Sequence, residues 1–250
     1  MKKKFVRHDI QKSTSTGLVL YGRHAVMSAL ENPNRKIKKL VCTSENATEI
    51  REKYASLNVV VADKKDIDKL VPADAVHQGY ALFCSELDSL SIEELCYDTA
   101  DDTRCSVLIL DQVTDPQNIG AIIRSCAAFG VKAVIVQDKN SPQESGSMAK
   151  AAAGTLEFVP VIRVTNLARA IETLKKNGFW IVGMDGYATE TVDKIDKNAK
   201  LGVVMGSEGS GMRRLIEESC DITVKLPINP KVESLNVSTA AAIVLYELSK

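Results

Sequence analysis

Ser234, Asn236 and Ser238 crowd the start of an apolar run that reaches Leu248. They follow the stretch Leu226-Pro227-Ile228-Asn229-Pro230-Lys231-Val232-Glu233. Residues 240–245, Ala-Ala-Ala-Ile-Val-Leu, can only be buried, so the sequence predicts a strand stopping at Pro227, a polar loop and a buried helix. Such a helix start presents unpaired backbone N–H groups. One Ser or Asn would cap it, so three polar side chains beside those donors point to a bound ligand. Two further loops of this character follow apolar strands. One is Asp111-Gln112-Val113-Thr114-Asp115-Pro116-Gln117-Asn118-Ile119-Gly120, leading to Arg124; the other is Gly206-Ser207-Glu208-Gly209-Ser210-Gly211-Met212. By spacing alone the glycine loop could hold a phosphate, but no Lys follows it as a nucleotide-triphosphate loop requires, and no acidic ribose reader sits at dinucleotide spacing.

The elements that must position these residues alternate between strand and helix. Strands are expected at 106–111, 131–136, 157–161, 179–184, 201–205 and 221–226, with helices at 117–128, 147–153, 166–177, 212–218 and 236–248. This is the pattern of an α/β fold with a parallel sheet, which binds ligands at the carboxyl ends of its strands. Asn118 is expected to cap the 117–128 helix and Arg124 to reach out from its second turn.

The motifs Asp-x-x-x-Asp-Pro-x-Asn-x-Gly-x-x-x-Arg, Gly-Ser-Glu-Gly-x-Gly-Met and Pro before Ser-Leu-Asn-Val-Ser, in this order, resemble those of the SpoU/TrmH family of RNA ribose 2'-O-methyltransferases. The resemblance covers the C-terminal domain. It implies a trefoil knot built by the last two motifs, a rare exception to unknotted topology, and a homodimer with the 236–248 helix and the Arg124 helix as its interface. It also implies S-adenosylmethionine as cofactor, bound through Gly206, Leu226, Ser234 and Leu235, with Gly206 letting backbone approach the cofactor closely. Arg124, Asn118, Glu208, Asn236 and Ser238 are the implied catalytic residues. Glu208 is expected to orient Arg124 or bind a nearby Asn, and Asn236 and Ser238 to hold the ribose or the loop. Because a guanidinium is almost never neutral, Arg124 is better suited to holding phosphate and polarising the 2'-oxygen than to acting as a base. One departure stands out: the family's Ile-Pro-Met-x-Gly is here Leu226-Pro227-Ile228-Asn229-Pro230. Pro230 fits only where φ is negative and no N–H is needed.

The N-terminal part predicts a small α/β sandwich, with strands at 18–21, 37–42, 59–61 and 80–84 and helices at 22–30, 46–57 and 64–70. Gly22-Arg23-His24-Ala25-Val26 and His77-Gln78-Gly79 are similar to the ribosomal-protein-L30-like substrate-binding domain of the ribosomal-RNA guanosine branch of the family. That similarity makes Arg23 and His24 candidate RNA contacts and a guanosine of 23S ribosomal RNA the implied target. A transfer-RNA methyltransferase and a non-catalytic RNA-binding or ribosome-assembly protein are the alternatives. The predicted organisation is a basic, unstructured tail at 1–16, an RNA substrate-binding domain at 17–88, an acidic linker at 89–104 carrying one short helix, and the methyltransferase domain at 105–250.

Charge is balanced overall, with 32 Lys and Arg against 32 Asp and Glu, but residues 1–88 hold 15 against 11. An excess near +4 on that segment favours phosphate contact there. The six cysteines form no C-x-x-C pair and the three histidines are scattered, so no metal site or disulfide framework is expected. No apolar run is long enough to span a bilayer and no signal-peptide core follows Met1, so the expected location is cytoplasmic.

Overall fold

The computed structural model describes residues 17–250; the basic tail expected at 1–16 lies outside them. The chain folds as two compact units, one comprising residues up to Asp88 together with Glu144–Glu157, the other Ser89–Gln143 together with Phe158–Lys250.

The first unit contains β1 (Leu18–Tyr21), α1 (Arg23–Glu31), β2 (Ile37–Cys42), α2 (Ser44–Lys53), β3 (Val59–Val61), α3 (Lys64–Ile67) and β4 (Tyr80–Cys84). Its sheet runs β1-β4-β2-β3, antiparallel except for the β2–β3 pair. β4, Tyr-Ala-Leu-Phe-Cys, is buried at every position, as a central strand must be.

The second unit begins with α4 (Ile92–Asp98), set by a capping box in which Ser91 Oγ accepts from Glu94 N at 3.1 Å and Glu94 Oε2 accepts from Ser91 N at 2.8 Å. The segment was expected to be a linker. Instead Ile92, Leu95 and Cys96 belong to the core of the second unit, so its apolar stripe is a packing face. Then follow β5 (Cys105–Leu110), α5 (Pro116–Ala128) and β6 (Val134–Gln137).

Next comes α6 (Gly146–Ala152), at the position expected for a helix of the second unit, but it packs within the first. Small residues permit the approach: a Cβ on Gly146 would lie 2.4 Å from Val19 O, and one on Gly154 would lie 2.2 Å from Ser28 Oγ. A buried ion triad fixes this segment. The Arg35 side chain is fully buried and pairs with Glu144 Oε1 at 2.7 Å and Glu157 Oε1 at 2.6 Å. Arg35 also donates to Ser85 O at 2.9 Å, and Asn32 Nδ2 donates to Glu157 Oε2 at 2.8 Å.

The second unit resumes with β7 (Val161–Val164), α7 (Leu167–Lys176), β8 (Phe179–Met184), β9 (Glu190–Thr191), β10 (Lys200–Met205), α8 (Arg214–Glu217), β11 (Ile222–Lys225) and α9 (Val237–Ser249). β7 starts four residues later than expected. Thr155–Glu157 is a 3-10 turn, Phe158 is exposed, and Pro160 has no N–H for a ladder. The sheet is wholly parallel, in the order β7-β6-β5-β10-β8-β11-β9. Its central strands β5 and β10 are near-continuous apolar runs, because helices cover both faces of such a sheet. α7 buries Leu167, Ala170, Ile171 and Leu174, the spacing of one helix face. The cysteines are unpaired and five of the six are buried; burial pushes the thiols of Cys84, Cys126 and Cys220 up to about 12. No described helix is long and apolar enough to cross a membrane.

Candidate active site

The three motif loops leave β5, β10 and β11 at their carboxyl ends, and side chains tie them together. Asp111, just past β5, is fully buried. Its carboxylate accepts from Arg213 N and Arg213 Nε, each at 2.8 Å, and pairs with the guanidinium at 2.6 Å. Arg213 also donates to Gln137 Oε1 at 2.8 Å. A carboxylate so enclosed is tolerated only with such partners. Arg213 was not among the sequence candidates, because nothing local marks a pairing between residues 102 apart.

The glycine loop closes on itself. Ser207 N donates to Gly211 O at 3.0 Å, Gly211 N donates to Ser207 O at 3.1 Å, and the hydroxyls of Ser207 and Ser210 are 2.6 Å apart. A Cβ on Gly206 would lie 2.2 Å from Gly211 C and 2.4 Å from Met212 N, both backbone atoms. Glycine is therefore needed at 206 for the loop's own crossing. Gly206→Ala should destabilise the second unit by about 1–3 kcal/mol or more, since backbone cannot yield as a side chain can. Urea denaturation checks this, and a variant as stable as the parent would show that the crossing has slack.

The start of α9 differs from expectation, because its amides are occupied. Glu208 Oε1 accepts from Val237 N at 3.0 Å, and Asn236 Oδ1 accepts from Ser238 N at 2.9 Å and Thr239 N at 3.4 Å. The first three N–H groups of the helix thus have side-chain partners and are not open to a ligand. Glu208 binds this helix and not Arg124. Asn236 and Asn118 are brought together, Asn236 Nδ2 donating to Asn118 Oδ1 at 3.0 Å, and Ser238 Oγ lies 2.6 Å from Asn236 Oδ1.

Asn118 does not cap α5. That role falls to Asp115, which accepts from Gln117 N at 3.0 Å with Pro116 at the first helical position. Arg124 is exposed on the third turn, not the second, and its side chain has no hydrogen-bond or ion-pair partner among the described residues. Pro230 is well placed. Val232 N donates to Asn229 O at 2.9 Å, closing a turn in which Pro230 holds the second position, where a fixed negative φ suits and no N–H is needed.

A cavity of about 450 Å³ opens between the loops that follow β8, β10 and β11, and Gly206, Leu226, Ser234 and Leu235 all line it. That volume lies within the range of small-molecule sites. Met205, Leu226, Ile228 and Leu235 give it apolar walls, while Asp185, Glu208, Glu217 and Glu233 outnumber Lys225 as charged lining. A lining with this charge favours a ligand carrying net positive charge. Glu208 and Val237 join the cavity to the Asn118–Asn236 pair, because both line it and they are hydrogen-bonded to each other.

Arg23 and His24 are exposed at the start of α1, in the first unit. The Arg23 guanidinium pairs with Glu49 at 3.0 Å, which raises its pKa, first through that hydrogen bond and then through the charge. Its backbone N donates to Gln78 Oε1 at 3.0 Å, which also accepts from Lys150 Nζ at 2.8 Å. Gln78 and Gly79 form a turn, with φ of 55° and 81°. Lys150 was not among the sequence candidates; only the placement of α6 brings it beside Gln78.

A family model described as the SpoU rRNA Methylase family matches residues 106–246, and one described as RNA 2'-O ribose methyltransferase substrate binding matches residues 19–90. The chain is 38% identical over 237 residues to a protein named as a TrmH family tRNA/rRNA methyltransferase from Staphylococcus saprophyticus, covering 92% of this chain and 94% of that one. It is also 38% identical over 239 residues to the 23S rRNA (guanosine-2'-O-)-methyltransferase RlmB of Coxiella burnetii, with coverage of 92% and 94%. Among solved structures, the AdoMet-bound rRNA methyltransferase of Sinorhizobium meliloti is similar with a TM-score of 0.79 at 21% identity, covering 99% of this chain and 95% of that one. The SpoU methyltransferase AviRb of Streptomyces viridochromogenes, in complex with AdoMet, gives 0.78 at 20% identity, covering 93% and 89%. At those identities the structural likeness is one of fold.

Proposed function

The chain belongs to the SpoU rRNA methylase family, and from that premise we propose that it transfers a methyl group from S-adenosylmethionine to a ribose 2'-hydroxyl of RNA, the target being a guanosine of 23S ribosomal RNA. The observation that carries this reading is the acid-lined, ligand-sized cavity formed by the second and third motif loops with the loop after β8, and joined through Glu208 and Val237 to Asn118 and Asn236. Its charge suits S-adenosylmethionine, whose sulfonium and ammonium outweigh its carboxylate. Its apolar walls suit the adenine, and no hydrogen bond to another described backbone group ties down residues 233–235.

Bound there, S-adenosylmethionine supplies a methyl group already activated by its sulfonium. The chain's residues must then hold the ribose hydroxyl in line and favour loss of its proton. Arg124, unpaired on α5, holds phosphate and polarises the 2'-oxygen; its permanent charge suits that role and excludes proton uptake. Glu208 anchors the glycine loop to α9, so that both walls of the cavity keep their spacing.

The homodimer is part of the proposal. α5 and α9 pack together, with Phe129 set edge-on to Tyr246 at 6.0 Å, and two large apolar side chains of α9 remain exposed, Ile243 by 42% and Tyr246 by 53%. Ile243 was expected to be buried, and a second copy would cover it. The trefoil knot is also proposed, supported by the Glu208–Val237 tie between the two loops that would form it. A cytoplasmic location accompanies a ribosomal-RNA substrate.

Mapping 2'-O-methyl marks on total RNA with and without the protein tests the function. A lost mark on 23S ribosomal RNA supports it, a lost mark on transfer RNA changes the substrate, and no change overturns it. Salt dependence gives a further check. Of the charges in residues 1–88, five Lys and Arg against one Asp fall in residues 1–16, while residues 17–88 hold ten of each sign. Deleting residues 1–16 should therefore flatten the fall of RNA affinity with salt, by about 0.7–0.9 in logarithmic slope for each phosphate that is no longer neutralised. An unchanged slope would move recognition onto the two folded units.

A further inference from the structure

The hydrogen bonds at the start of α9 fix a polarity that reaches the substrate side of the site. Backbone N–H groups can only donate, so the Asn236 side-chain atom facing Ser238 N and Thr239 N is its oxygen. The Ser238 hydroxyl, 2.6 Å from that oxygen, donates to it as well. The NH₂ of Asn236 must then point the other way, where it meets Asn118 at 3.0 Å. A donor needs an acceptor, so Asn118 turns its oxygen toward Asn236 and its own NH₂ outward. That NH₂ has no partner among the described residues, and Asn118 is partly exposed in the first turn of α5.

Building on the methyltransferase reading, we propose that Asn118 is a donor-only contact for a phosphate oxygen of the RNA backbone, and that Asn236 and Ser238 are positioning residues that set its polarity. Phosphate oxygens are the commonest acceptors that proteins use to fix a nucleic acid in register. Asn118 cannot take up a proton, and Asn236 and Ser238 need not touch RNA at all.

The test uses full-length protein and measures RNA affinity, methyl transfer and S-adenosylmethionine affinity side by side for Asn118→Ala, Asn118→Asp and Asn236→Asp. Asn118→Asp keeps an acceptor for Asn236 but turns a carboxylate toward the phosphate. It should bind RNA about tenfold or more weakly than Asn118→Ala, the worth of a charge-assisted hydrogen bond reversed in sign. Its transfer rate, relative to Asn118→Ala, should recover as pH falls toward the carboxylate range, because a protonated acid donates again. Asn236→Asp keeps the helix cap, since aspartate accepts from backbone N–H as asparagine does. Its outer oxygen demands a donor, so Asn118 flips and presents an oxygen to the RNA. This variant should keep its melting temperature and cofactor affinity yet lose RNA affinity like Asn118→Asp.

A purely structural role for Asn236 would leave Asn236→Asp close to the parent in RNA binding, and that result overturns the proposal. Asn118→Asp equal to or better than Asn118→Ala overturns it too. A parent protein that methylates no RNA overturns the methyltransferase reading itself, while a fully active parent with either failed variant result overturns the polarity alone.

Discussion

Arg124→Ala is expected to abolish methyl transfer, by about 10²–10³-fold or more, while leaving S-adenosylmethionine affinity within a few-fold. The side chain stands exposed on α5, while its neighbours Ile122, Ile123 and Cys126 are buried and hold the helix in place. Removing the guanidinium should therefore leave folding stability within about 0.5 kcal/mol, as for other exposed side chains without partners. The loss would come from the reacting centre, where phosphate and 2'-oxygen need one planar group to hold both. Arg124→Lys should fail nearly as badly, because an ammonium has no fork. Single-turnover rates with saturating cofactor measure this directly, and a Lys variant that kept most of the rate would remove the geometric role assigned to Arg124.

The largest stability effect is expected at Arg35, far from the motif loops in sequence. Burial opposes its charge, yet Glu157 and Glu144 together hold the guanidinium above its ordinary pKa. Glu144 is raised, by burial first, even with Arg35 beside it. Arg35→Ala leaves both carboxylates buried without their cation, at a cost of about 3–5 kcal/mol. The pH dependence follows from the sign of the shift. A carboxyl raised in the folded state binds more protons folded than unfolded, so its contribution favours folding in acid and is lost as pH rises. Without Arg35 that shift grows, and the deficit of the variant against the parent should be smaller at pH 5 than at pH 8. Urea denaturation at the two pH values tests both statements; a loss below 1 kcal/mol at pH 8 would mean the triad is dispensable.

Sequence pattern reached those features whose physics is local. The apolar run of β10 and the amphipathic spacing of α7 each specify an element without reference to the rest of the chain. The second and third motifs made the cavity legible, and the four residues expected to hold the cofactor all line it. What stayed hidden depends on partners distant in sequence. The stripe Ile92, Leu95 and Cys96 shows that α4 buries a face, but not that the face completes the second unit's core. The small residues of α6 show that something packs closely, but not that it is β1 and α1. Glu208 was expected to orient Arg124 or bind a nearby Asn, and only the position of Val237 N shows that it holds a helix start instead. Asp111 and Arg213 could not be paired from spacing at all.

The division of the first unit between two stretches of sequence also sets an order of events during synthesis. Once Asp88 has left the ribosome, all four strands of the first sheet exist, but Arg35 still lacks both of its carboxylates and β1 and α1 lack the helix that covers them. Those parts arrive only with Glu144–Glu157, at translation rates roughly 3–14 s later. Through that interval the nascent chain carries an unneutralised arginine and an uncovered apolar surface. A nascent-chain series arrested at successive lengths should therefore show the first unit gaining protease resistance only once residue 157 is free of the exit tunnel.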